Sequence, residues 1–132
     1  MIELSSEGNY HIGGVPVDEL TRVYDTPLYV YDTAVIASKY QLLNQSFPGI
    51  DLKIKYACKA LTNINILRFM RSLGAGLDTV SIQEVWLGKK AGFHGNEIMY
   101  TPNCVSMEEI DMAVVEGVQI NIDNISILEQ FG

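Results

Sequence analysis

A lysine that closes a short apolar strand is the first residue in this chain with chemistry to offer. It is Lys59, in the segment Lys55-Tyr-Ala-Cys-Lys-Ala-Leu-Thr62. A lysine amine in a partly apolar setting loses some of its preference for the charged form. The neutral amine can then attack an aldehyde cofactor. Position alone does not single Lys59 out, because a surface lysine is usually a solvated charge. Lys53 and Lys55 also share its strand parity, although Lys53 sits at the far, N-terminal end.

The next acid in the sequence pattern is Asp78, in Gly76-Leu-Asp-Thr-Val-Ser81, near the end of the following strand candidate. Neighbouring parallel strands lie about 4.8 Å apart, so their C-terminal ends would bring Asp78 near Lys59. A carboxylate there could hold the lysine or a proton on its nitrogen. Pairing with a backbone amide in the loop is the equal alternative. Other polar residues suggest less. His94 falls in a loop on the opposite side from the active end of such a sheet, and His11 has no partner. Two histidines without a spaced acid or cysteine make no metal site. Asn103, Asp123 and Asn124 fall at strand C-terminal ends; helix capping explains the last two as well as a pocket would. Gly74-Ala-Gly76 precedes a strand and lacks a third glycine, so it reads as a helix end and not as a dinucleotide loop.

The elements that must position these residues form a repeating strand–helix unit. Strand candidates are 52–58, 77–80, 98–101 and 118–122, each short, apolar and followed by a helix-like stretch. Ser81–Glu84, Ser106–Glu109 and Ser126–Glu129 each fit S-x-x-E, a capping box in which serine and glutamate satisfy each other's orphan backbone amides. Gly74, Gly92 and Gly117 mark helix ends. Ile66, Met70 and Leu73, and then Ile82, Val85 and Trp86, form apolar helix stripes destined for the core. Upstream, 27–32 reads as a strand, and Asp32 or Thr33 caps a helix running to about Asn44. Four strand–helix units imply a parallel sheet, which is half of a closed barrel of eight. The expectation is an α/β chain: a partial (β/α)8 TIM barrel of about the first four units, and a piece of something longer. A small doubly wound four-stranded sheet uses the same units.

Composition narrows the function. The 132 residues are 48% hydrophobic and 19% charged, with a net charge of −7. That balance excludes a disordered chain and argues against nucleic acid, whose phosphates are met by Lys and Arg. There is no membrane-length apolar run and no signal-like start. Cys58 and Cys104 read as free thiols of a reducing compartment.

Taken in order, Thr26-Pro-Leu-Tyr-Val-Tyr-Asp32, Tyr56-Ala-Cys-Lys-Ala60 and Gly74-Ala-Gly-Leu-Asp-Thr-Val-Ser81 with Glu84 resemble the fold-type III pyridoxal-phosphate decarboxylases. The resemblance runs from about Tyr10 to Gly132, and the diaminopimelate branch looks most similar. It implies that residues 1–32 join a second, mostly β domain and that 33–132 form the first half of the cofactor-binding barrel. It implies pyridoxal 5'-phosphate as cofactor, Lys59 as its Schiff-base lysine and Asp78 as the acid beside it. It further implies an amino-acid substrate, meso-diaminopimelate giving L-lysine and CO2, in a homodimer of the bacterial cytoplasm with no membrane or nucleic-acid partner. Leu61 stands where the family usually has Asn. The family's phosphate loop, ring-stacking histidine and substrate residues have no counterpart here, so the chain alone is expected to be inactive. Ornithine, arginine or carboxynorspermidine decarboxylases, a non-catalytic cofactor-binding barrel, and an inactive descendant are the competing readings.

Overall fold

In the computed structural model, which describes residues 2–132, the chain first folds back on itself at Gly13 and Gly14, both at positive φ. Two consecutive left-handed residues make the tight turn whose twist matches a hairpin. It joins β2 (Tyr10–Ile12) to β3 (Val15–Pro16), and β1 (Ile2–Leu4) pairs antiparallel on the other side of β2. Helix α1 (Val17–Tyr24) follows directly. Helix α2 (Thr33–Gln45) starts where the sequence placed it: the Asp32 carboxylate accepts from the backbone N–H of Ala34 and Val35. The strand expected at 27–32 is not formed. The segment is rich in β-formers but has no ladder partner, and Tyr29 is 86% exposed. Propensity without a partner strand does not make a sheet. The chain divides into two units, one up to Ile50 and one over Asp51–Gly132.

The second unit carries the repeat. Strand β4 (Lys55–Ala57) leads through a 3₁₀ turn, Cys58–Ala60, to α3 (Ile64–Ser72). Then come β5 (Gly76–Thr79), α4 (Ile82–Ala91), β6 (Ile98–Tyr100), α5 (Met107–Val115), β7 (Gln119–Ile120) and α6 (Ile125–Phe131). The four strands are parallel and pair in sequence order, β4-β5-β6-β7.

Two facts exclude the doubly wound alternative. The strand order never reverses, as a doubly wound sheet requires. The burial also has one parity. Leu77 and Thr79 of β5, and Ile98 and Tyr100 of β6, are buried against the helices, whereas Gly76, Asp78 and Met99 between them are only half-buried. One face of the sheet is covered by helices and the other is open, the arrangement of a barrel wall.

Helix α4 lies on that wall through a glycine. A side-chain carbon added at Gly88 would sit 2.5 Å from Leu77 Cδ2 and 3.3 Å from Ile98 Cδ1. The buried stripe of this helix is Ile82, Val85, Gly88 and Ala91. Trp86, expected in the core, is instead 46% exposed, and its indole N–H donates to Glu116 Oε1 at 2.9 Å. The polar ring nitrogen finds its carboxylate at the surface, next to the stripe and not in it.

The helix caps divide likewise. Ser106 and Glu109 make the full reciprocal box at α5. At α4, Ser81 Oγ accepts from Glu84 N–H, but Glu84 reaches back one residue further, to the amide of Val80 at 2.8 Å. At α6 the box is absent. Asn124 is the cap, accepting from Ile127 N–H at 2.8 Å, and Ser126 lies inside the helix. Asn is as good an N-cap as Ser, and here it stands earlier in the chain. Gly74, Gly92 and Gly117 all close their helices with positive φ.

Candidate active site

Cys58 explains how Lys59 is presented. The Cys58 side chain is fully buried in the core cluster, and this pins the 3₁₀ turn to the sheet. The turn is closed by Leu61 N–H donating to Cys58 O at 3.1 Å, and the Tyr56 hydroxyl donates to Leu61 O at 3.4 Å. Asn63 then caps α3, accepting from Asn65 N–H at 2.9 Å. Between these fixed points Lys59 projects outward and is exposed, at the C-terminal edge of the sheet. Among the described residues its amine takes part in no hydrogen bond or ion pair. Leu61 thus contributes its backbone carbonyl to holding the turn, whatever its side chain.

Asp78 lies on the open face of the sheet, opposite Ala57 in the β4–β5 register. The turn bearing Lys59 begins immediately after that pair. Among the described residues Asp78 makes neither of the two contacts weighed for it. It forms no bond with Lys59 and accepts from no backbone amide; the Thr101 hydroxyl donates to Asp78 Oδ1 at 2.7 Å. Thr101 in turn is held by its own N–H donating to Thr79 O at 2.8 Å. Thr101 was missed as a site residue, yet it has a signal. It shares the parity of Met99, the register partner of Asp78, and so belongs to the same face one step beyond β6.

Burial pushes the Cys58 thiol up to about 11, with the negative charges of Glu84 and Asp78 adding to the effect. Cys58 is therefore a neutral packing group at ordinary pH, and the charges of those two carboxylates reach the turn that carries Lys59.

The remaining candidates disperse. Asn103 and Asp123 are exposed, and Asn124 is spent on capping. His94 heads the short 3₁₀ turn Gly95–Glu97, before β6, with its N–H donating to Glu97 Oε2 at 2.7 Å. His11 Nδ1 lies 3.2 Å from Asn9 O. A cleft of about 590 Å³ opens at the opposite, N-terminal ends of the strands, lined by Lys53, Lys55, Gly76, Asn96 and Glu97. There Lys55 donates to Glu97 O at 3.2 Å; burial lowers its affinity for the proton, opposed by the charges of Asp78 and Glu97. In barrel enzymes chemistry sits at the C-terminal ends of strands and the N-terminal ends serve stability. By that rule the C-terminal edge of the sheet, where Lys59 stands, and not this cleft, is the candidate site.

The family model described as "Pyridoxal-dependent decarboxylase, pyridoxal binding domain" matches residues 33–132. A diaminopimelate decarboxylase of Methanothermobacter thermautotrophicus is 40% identical over 125 residues, covering 93% of this chain and 29% of the relative. Among solved structures, the diaminopimelate decarboxylase of M. jannaschii in co-complex with L-lysine superposes with a TM-score of 0.85 at 30% identity, covering 98% of this chain and 31% of that one. The lysine/ornithine decarboxylase of Vibrio vulnificus complexed with putrescine gives a TM-score of 0.83 at 25% identity, over 98% of this chain and 34% of its own. The chain therefore spans under a third of the length of its diaminopimelate decarboxylase relatives.

Proposed function

The chain belongs to the pyridoxal-dependent decarboxylases, and from that premise we propose that Lys59 anchors pyridoxal phosphate for the decarboxylation of meso-diaminopimelate to L-lysine and CO2. The observation that carries this reading is the exposed amine of Lys59, unpaired among the described residues, on a hydrogen-bonded turn at the C-terminal edge of a parallel sheet. The residues present fit the cofactor's anchor. A primary amine can bond its aldehyde, and Asp78 and Glu84 supply negative charge beside the turn. When bound, pyridoxal phosphate supplies the electron sink that makes loss of CO2 from an α-carbon feasible.

The chain's own residues do three things in this scheme. Lys59 would hold the cofactor covalently through its amine. Cys58, Tyr56 and Asn63 keep the turn in place, so that little ordering remains to be done on binding. Asp78 stands ready to hold a proton on the Lys59 nitrogen. The diaminopimelate specificity is supported by the name of the M. thermautotrophicus relative and by the L-lysine held in the M. jannaschii structure.

We assign residues 1–32 to a β domain and 33–132 to the cofactor barrel; the family match over 33–132 supports this boundary, although the chain divides into compact units later, after Ile50. A homodimer acting in the cytoplasm is part of the same proposal. Ornithine or lysine is the second substrate reading, favoured by the Vibrio vulnificus neighbour. Assays of the full-length parent protein with pyridoxal phosphate and each amino acid separate the two. L-Lysine formed from meso-diaminopimelate, with ornithine left unreacted, supports the proposal; cadaverine or putrescine as the preferred product would replace it.

A further inference from the structure

Asp78 has one hydrogen-bond partner among the described residues, and it is a hydroxyl rather than an amine. The 2.7 Å separation from Thr101 Oγ1 to Asp78 Oδ1 is that of a short, charge-assisted bond. A threonine hydroxyl carries a single proton. Its other acceptor within reach, Thr79 O, is uncharged and lies further off, at 3.3 Å, so the carboxylate takes the proton. The hydroxyl is itself fixed, because Thr101 N–H continues the β5–β6 ladder to Thr79 O. Lys55 lies on the same face of the sheet, and its charge acts on Asp78, but its amine is spent on Glu97 O and does not orient the carboxylate. Oδ2 of Asp78 is left with no hydrogen bond or ion pair among the described residues.

We propose that Thr101 is a positioning residue for the cofactor site: its hydroxyl fixes the rotation of the Asp78 carboxylate and leaves the second oxygen for the nitrogen of Lys59. This rests on the reading of Lys59 as the pyridoxal-phosphate anchor. Thr101 acts only through Asp78. A residue with a merely structural role would act whether or not residue 78 carries a charge.

The test is a double-mutant cycle on the full-length parent protein, read by the affinity for pyridoxal phosphate from the absorbance band of the lysine-bound cofactor. Thr101→Val keeps the shape and removes the donor; Thr101→Ser keeps the donor. Thermal melting without cofactor checks folding, and Thr101→Ala takes the place of the valine variant if the latter does not melt cooperatively. Loss of a hydrogen bond to a charged group is expected to weaken cofactor affinity about tenfold in Thr101→Val, with Thr101→Ser within about twofold of the starting protein. In an Asp78→Asn background the same Thr101→Val change is expected to add less than about twofold. An unchanged affinity in Thr101→Val, or an equal loss in the Asp78→Asn background, overturns the role of Thr101 while the Lys59 band stands. Absence of a Lys59-dependent band in the unmutated protein overturns the anchor reading, and the role of Thr101 with it.

Discussion

Ala57 and Asp78 are register partners across the β4–β5 ladder, so one strand pairing sets both the acid's position and the start of the turn that carries Lys59. The pairing is supported from behind by the helix layer, where α4 presents a glycine to Leu77, the residue next to Asp78.

That close approach predicts the effect of adding one carbon. Gly88→Ala gains helix propensity of about 1 kcal/mol but forces Leu77 and Ile98, both fully buried, to shift. Overpacking of this kind costs about 1–3 kcal/mol. The expected outcome is a net loss of stability, seen as a lower urea midpoint with an unchanged slope.

The thiols should separate cleanly. Cys104 is exposed and Cys58 is buried. One equivalent of a thiol reagent is expected to react rapidly at pH 8 in the native protein, and a second only on denaturation; a Cys104→Ser variant should then show almost no fast reaction. Cys58 also carries a pH signature. Its folded-state value of about 11 lies above the ordinary 9.0. The unfolded thiol releases its proton first, so the contribution of Cys58 is intact below pH 9 and is lost as pH rises towards 11. Cys58→Ala should flatten the fall in stability between those limits.

The caps give a paired prediction. Ser106→Ala breaks a reciprocal box and is expected to cost about 1 kcal/mol. Ser126→Ala touches a residue inside α6 and should cost much less, whereas Asn124→Ala should cost about as much as Ser106→Ala, since Asn124 is the cap. Chemical denaturation of the three variants ranks them; a larger loss for Ser126→Ala than for Asn124→Ala would contradict the assignment.

The same pair of caps shows what the sequence could tell and what it could not. The repeat of apolar strand and helix was plain, because the first three units each bury a helix stripe and end on a glycine at positive φ. All four strands of the parallel sheet fall at the expected places; three are shorter than their apolar runs, and β5 keeps its four residues one position earlier. Lys59 was placed at a strand's C-terminal end for the same reason. What failed depended on a choice between neighbours. Asn124 displaced Ser126 as a cap by standing two residues earlier. Trp86 followed Glu116 to the surface. Residues 27–32 had strand composition with no strand to pair with, while the strands that did form upstream were not expected, although Gly13-Gly14 between two β-formers is a hairpin signal. The order of pairing, which distinguishes a barrel wall from a doubly wound sheet, is not written in any single unit. Nor was the bond between Thr101 and Asp78, which needs the β5–β6 register to be known first.

The most direct test of the account is the absorbance spectrum of the full-length parent protein purified with pyridoxal phosphate, beside that of its Lys59→Ala variant. Lys59 sits on an exposed turn outside the core cluster, so the variant should fold and melt as the unmutated protein does. The predicted result is a band near the visible edge that is present in the protein, shifts on addition of meso-diaminopimelate, and is missing from Lys59→Ala. The same band retained by Lys59→Ala would show that the cofactor is held by another amine, and would contradict the assignment of Lys59 as its anchor.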